Sequence, residues 1–96
     1  MAYTLAAESP TAVDWTALHG AVMPIRKRVE VFPIPSSNGL GMSVPQRLRN
    51  DLAWEEITQL LDLLEKKFGM DVFDLQTGER VPPGTREGLK ERFLVE

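Results

Sequence analysis

One segment, Asp51 to Gly69, constrains the fold more than any other, and it reads DLAWEEITQLLDLLEKKFG. A rotation of about 100° per residue brings its apolar side chains onto one stripe, the pattern of a helix with one face in a core. The stripe consists of Ala53, Trp54, Ile57, Leu60, Leu61, Leu64 and Phe68. Acidic residues come early in the segment and lysines late, which complements the helix dipole. We therefore predict a long amphipathic helix over residues 51–68 that organises the core.

Two leucines of this segment, Leu52 and Leu63, fall outside the stripe, on the polar side of the predicted helix. They are eleven residues apart, which is about three helical turns, so they lie on one line along the helix. Two interpretations stay open. Short flanking segments could fold over these leucines, or the leucines could contact a partner, since exposed apolar residues mark an interface when they form a contiguous patch.

The composition is that of one small soluble domain. A chain of 96 residues can bury only about 60 to 65% of its unfolded surface, which leaves room for a single core. No apolar run reaches the ~20 residues that span a bilayer, and the N-terminus lacks the pattern of a secretory signal. The absence of cysteine excludes disulfides and thiolate metal sites. We expect a cytoplasmic protein with no membrane association.

The N-terminal region contributes little to the predicted core. Residues 1–8 show no hydrophobic period, so we expect a flexible N-terminal arm there and a single folded domain over residues 9–96. Ser9 and Pro10 suit the N-cap and the first turn of a short helix over residues 10–19. Gly20 suits its C-terminal end.

An edge strand is predicted over residues 28–34. Alternation puts Val29 and Val31 on one face and Phe32 on the other. Pro33 and Pro35 each remove a backbone donor, which favours the edge of a sheet. A turn over residues 36–39 ends in Asn-Gly, the pair that tight hairpins prefer, and predicts a return strand over residues 40–44.

A second strand pair is predicted after the main helix, over residues 70–75 and 80–81, with a turn over residues 76–79. A short final helix then runs to Leu94. These elements predict an α+β domain, in which the long amphipathic helix packs on a small antiparallel sheet with short N- and C-terminal helices. The order of the strands in the sheet stays open.

Few residues qualify for catalysis or metal binding. His19 is the only histidine, which excludes two-histidine zinc sites. Asp71, Asp74 and Glu79 surround the second predicted strand pair and could hold a divalent cation, but their spacing matches no EF-hand loop. We therefore predict no enzymatic activity and no cofactor, with a small carboxylate or metal-dependent enzyme as the second alternative.

The charges are unevenly distributed. Residues 1–50 carry five basic and three acidic side chains, whereas residues 51–96 carry six and eleven. The basic residues of the first half are candidates for contact with phosphates or with an acidic partner, namely Arg26, Lys27, Arg28, Arg47 and Arg49. The sequence pI of about 5.2 and the absence of interleaved aromatic residues make nucleic acid the first alternative and not the leading hypothesis.

The leading functional hypothesis is a non-enzymatic protein interaction module, such as an adaptor, an accessory subunit or a small assembly component. Its partner would be a second copy of the chain or a larger complex. The predicted contact residues are the Leu52 and Leu63 pair and the edge strand residues Val29, Val31 and Phe32. An edge strand can accept another chain by strand addition.

Overall fold

The computed structural model describes residues 2–34 and 38–95. Within these ranges the chain forms three α-helices and five β-strands. In chain order they are β1 (Tyr3–Glu8), α1 (Trp15–Val22), β2 (Glu30–Ile34), β3 (Gly39–Val44), α2 (Asp51–Lys67), β4 (Asp71–Asp74), β5 (Glu79–Arg80) and α3 (Arg86–Val95). Short 3-10 turns over Gln46–Leu48 and Pro83–Thr85 lead into α2 and α3. The predicted α+β class is confirmed.

The five strands form one antiparallel sheet in the order β2-β3-β1-β4-β5. The prediction of a flexible arm over residues 1–8 is therefore wrong, because β1 is the central strand. Its sequence gives little indication of this role, because two of its buried positions are occupied by alanines, Ala6 and Ala7. Alanine adds little to a hydrophobic pattern. The folded unit thus includes β1 and does not begin at residue 9.

The two faces of the sheet differ in what covers them. Residues paired across neighbouring strands project to the same face. Tyr3, Leu5 and Ala7 of β1 project to one face together with Met42 of β3, and they belong to the same buried cluster as the helices. We call this the core face. We call the other side, which carries the side chains of Thr4, Ala6, Glu8, Glu30, Phe32, Ile34, Ser43, Asp71, Phe73 and Arg80, the open face.

The open face takes no part in the core. Within the described residues, the helices contribute their fully buried apolar side chains to the cluster on the core face. No side chain of the open face belongs to that cluster. The molecule therefore has two layers, with the helices on one side of the sheet.

Helix α2 begins where the sequence predicts, because the Asn50 side chain accepts a hydrogen bond from the backbone N–H of Ala53. It ends at Lys67 after 17 residues, so it is of moderate length and the prediction of a long helix is not quite right. Six of the seven predicted stripe residues are buried and Phe68 is partly buried. Glu56 is also buried, although the sequence put it on the polar side.

Helix α1 begins at Trp15, later than predicted. The Asp14 side chain accepts hydrogen bonds from the backbone N–H groups of Thr16 and Ala17. Ser9 caps no helix and accepts a bond from the Thr11 N–H in a local turn. Gly20 lies inside α1 instead of ending it.

The predicted edge strand and both hairpins are present with small shifts of their ends. Strand β2 lies at one edge of the sheet, beside the return strand β3. Ser36 and Ser37 of the predicted turn lie outside the described residues, as does Pro35 before it. Asn38 has a positive φ of 49°. The second turn contains Gly78 with a φ of 75°. The final helix buries Leu89 and Phe93.

Candidate functional site

An apolar groove lies between α1 and the sheet edge formed by β2 and β3. It has a volume of about 570 Å³. Its lining includes Trp15, Leu18 and Val22 of α1, together with Val31 and Pro33 of β2 and Leu40 of β3. Thr16, His19 and Phe32 complete the lining.

The groove exists because β2 is an edge strand. Val31 and Pro33 pair with Met42 and Leu40 of β3, both of which are buried, so they project to the core face. Val31 is nevertheless only half-buried and Pro33 is exposed. Among the described residues no further strand lies beyond β2, and α1, on the other side of the groove, has only eight residues. The groove is therefore a gap at the side of the core, between α1 and the edge strand β2.

Large exposed apolar side chains are concentrated at this edge. Within the described residues, five large apolar side chains are exposed: Trp15, Met23, Phe32, Leu52 and Leu75. Two of the five, Trp15 and Phe32, line the groove, with 36% and 41% of their surface exposed. A contiguous apolar surface of this kind is typical of a binding site.

The structure brings together only part of the predicted contact set. Val31 and Phe32 line the groove, whereas Val29 is fully buried in the core. Leu52 is exposed in the first turn of α2, but Leu63 is half-buried and packs against the core. The two leucines therefore do not form one exposed line.

A buried carboxylate, which the sequence analysis missed, fixes the approach to the edge strand. Glu56 of α2 accepts hydrogen bonds from the backbone N–H groups of Lys27, Arg28 and Val29 at 2.8, 2.9 and 2.7 Å. The bonds hold the loop that leads into β2. The sequence does contain a signal for the burial of Glu56. Its helical spacing from the stripe residues Ala53 and Leu60 places it on their side of the helix.

The basic cluster is largely engaged within the fold. The Arg26 Nε donates to the carbonyl of Val29 at 2.7 Å, and Arg28 forms an ion pair with Glu56 at 3.6 Å. The guanidinium of Arg49 lies over the ring of Tyr3, 5.7 Å from its centroid. Among the described residues, no ion pair involves Lys27 or Arg47. The cluster is thus not a free cationic surface.

The three candidate metal ligands are not brought together. Asp74 is fully buried on the core face and Asp71 pairs with Arg80 at 3.1 Å, while Glu79 is exposed. Over residues 2–34 and 38–95, no group of three potential metal-ligating side chains occurs.

Asp74 instead joins β1, β4 and α3. Its carboxylate accepts hydrogen bonds from the Tyr3 hydroxyl at 2.5 Å, from the Gln76 backbone N–H at 2.9 Å and from Arg92 at 3.2 Å. Burial raises the pKa of Asp74, but these hydrogen bonds outweigh burial and hold the pKa below its ordinary range. Burial and the bond to Asp74 raise the pKa of Tyr3 to about 12. The network is a structural junction in which both carboxylate oxygens accept hydrogen bonds.

No helix in the part of the chain that the structure describes combines the length and the apolar character needed to cross a membrane. Comparison with protein-family models, with curated proteins and with solved structures found no match for this chain. The groove is the candidate binding site of this chain.

Proposed function

We propose that this chain is a non-enzymatic protein interaction module, with a cytoplasmic location, that binds an apolar segment of a partner protein in the groove between α1 and β2. The observation that carries the proposal is the groove of about 570 Å³ at an open sheet edge, with Trp15 exposed in its wall. Apolar side chains of the core layer that no other element covers form the kind of surface that a partner protein binds.

Trp15 can contribute part of the binding energy in the groove. It exposes 36% of its surface. Covering that surface removes on the order of 90 Å² from water, or about 2 kcal/mol before the cost of association. Aromatic anchors of this size commonly carry a large part of an interface's energy.

Side-chain insertion explains the groove better than strand addition does. Pro33 has no backbone N–H, which leaves β2 one donor short along its five residues. Proline in an edge strand is a common protection against strand addition. The apolar lining beneath β2 is unaffected by this, so we propose that the partner inserts apolar side chains under α1.

Selection of peptides on the intact chain tests this proposal. Peptides from a displayed random library are enriched on the wild-type protein and then titrated against Trp15→Ser and Leu75→Ser. Both side chains are exposed, by 36% and 49%, but only Trp15 lines the groove. We expect Trp15→Ser to weaken binding about tenfold or more, and Leu75→Ser to leave it unchanged. Equal affinities for both variants, or no enriched peptide, would contradict the proposal.

A further inference from the structure

The open face of the sheet carries a second surface, which differs in character from the groove. Cross-strand pairing aligns one row of residues over all five strands: Phe32, Gly41, Ala6, Phe73 and Arg80. The row thus has an aromatic residue on each side of two small ones. Phe32 and Phe73 lie three strand spacings apart, about 14 Å.

The two small residues let the aromatic residues lie close to the sheet. A Cβ atom on Gly41 would lie 2.1 Å from the ring of Phe32, so this ring rests on the glycine backbone. Ala6 is 1% exposed, Phe73 is half-buried and Phe32 is 41% exposed. The row therefore forms a shallow surface on which both rings are partly exposed.

Carboxylates surround this row. Glu8, Glu30 and Asp71 project from the open face, and Glu8 lies directly opposite Asp71 across β1 and β4. Like charges in such a pair destabilise a sheet. Arg80 pairs with Asp71 at 3.1 Å, but no described basic side chain forms an ion pair with Glu8 or Glu30. The described charged side chains of this face are thus three carboxylates and one guanidinium, Arg80, which is an excess of negative charge.

We propose that the open face binds a basic segment of a partner protein. Arginine side chains stack on the rings of Phe32 and Phe73 and pair with Glu8 and Glu30. Arginine fits better than lysine because its planar guanidinium both stacks on an aromatic face and pairs with a carboxylate. The carboxylates favour a partner with positive charge, and the aromatic row favours planar side chains that stack on its rings.

The same charges disfavour other occupants. Two copies of the chain joined through their open faces would bring the carboxylates of both copies together. Nucleic acid phosphates would meet Glu8, Glu30 and Asp71. The inference is independent of the proposed groove function, because Trp15 belongs to the groove and Phe73 to the open face, although Phe32 borders both.

Titration of the isotope-labelled chain with hexa-arginine, followed by amide chemical shifts, tests the inference. We expect shift changes centred on Ala6, Gly41 and Phe73. The double variant Glu8→Gln and Glu30→Gln is expected to weaken binding about fivefold or more. The matched control is Glu87→Gln with Glu91→Gln, which removes two carboxylates from exposed positions of α3 and leaves affinity unchanged.

Three results would overturn the inference. One is equal weakening by both double variants, which would indicate non-specific attraction to an acidic protein. Another is shift changes spread over the helices or confined to the groove around Trp15. The third is concentration-dependent shifts of the open face in the absence of peptide, which would assign the face to a second copy. Thermal unfolding of each variant verifies that it is folded.

Discussion

Two corners of this molecule differ in how completely their side chains are buried. Where β1, β4 and α3 meet, Asp74 is fully buried with hydrogen bonds from Tyr3 and Arg92, and Phe93 packs against the rings of Tyr3 and Trp54 at 5.6 Å each. We call this the sealed corner. At the other end of the sheet, α1 and β2 leave the groove open. The residues of the sealed corner that stabilise the fold and the candidate binding surface therefore lie in separate parts of the molecule.

The separation has a physical reason in the strand order. Strand β1 has neighbours on both sides, whereas β2 has one. A group buried beside a central strand must find its partners within the chain, since water is excluded. A group beside an edge strand is free to find them in another molecule. Substitutions at the two corners should therefore differ in their cost to folding.

The largest effect is expected at the sealed corner for Asp74→Ala. The change leaves the Tyr3 hydroxyl and Arg92 without their acceptor, so we expect a loss of about 3 to 5 kcal/mol in the free energy of unfolding. Urea unfolding followed by circular dichroism measures it. Asp71→Ala, which removes an exposed carboxylate from the same strand, should cost less than about 1 kcal/mol. Similar losses in the two variants would remove the distinction between the corners.

A smaller loss is expected for Glu56→Ala, which releases the loop before β2. Three backbone N–H groups lose their acceptor, and we expect a cost of about 2 to 3 kcal/mol because part of the loop can regain contact with water. The adjacent Glu55→Ala is the control, since Glu55 is exposed. Hydrogen exchange of the amides of Lys27, Arg28 and Val29 should accelerate only in the Glu56 variant. Unchanged exchange at these amides would refute the assignment.

The sealed corner also predicts a pH dependence. The pKa of Asp74 is lower in the folded chain than its ordinary value, so its stabilisation is fully present above the unfolded pKa and is lost as pH falls through the folded one. The pKa of Tyr3 is raised from 10.0 to about 12, so its contribution is lost as pH rises across that interval. Urea midpoints measured over a pH series should fall at both ends. Tyr3→Phe should lack the alkaline loss, and a loss of equal size in that variant would point to other groups.

On the open face, Gly41→Ala should cost about 1 kcal/mol, because the added Cβ displaces the ring of Phe32. In a Phe32→Ala background the same change should be neutral or stabilising by about 0.5 kcal/mol, since alanine is favoured over glycine in a strand. The double-mutant cycle measures this coupling. Additive costs would show that the ring does not rest on Gly41.

A tryptophan at the groove should contribute less to folding than one in the core. Trp15→Ser should lower the free energy of unfolding by about 1 to 2 kcal/mol, because 36% of the Trp15 surface is exposed in the native state. Trp54→Ala, by contrast, should cost about 3 kcal/mol or more, as Trp54 packs on Phe93 inside the core. Comparable losses for the two tryptophans would mean that the groove is part of the structural core.

Sequence reasoning found the elements whose signals are local. The apolar stripe of α2 and Pro33 of the edge strand each act through neighbouring residues. It missed β1, because Ala6 and Ala7 are small and the pairing partners of β1 lie far along the chain. It missed the burial of Glu56 and Asp74 for the same reason, since their hydrogen-bond donors come from distant segments. The groove arises from the position of α1 relative to β2, which no local pattern encodes.

The central position of β1 has a consequence for the order of folding. Tyr3–Glu8 is synthesised before the other strands of the sheet, but one of its two partners, Asp71–Asp74, follows only after α1, β2, β3 and α2. The sheet therefore cannot close until β4 has left the ribosome, and its folding rate is limited by long-range contacts. A nascent chain halted before β4 would hold β1 with one side unpaired, and such a strand is prone to associate with other chains.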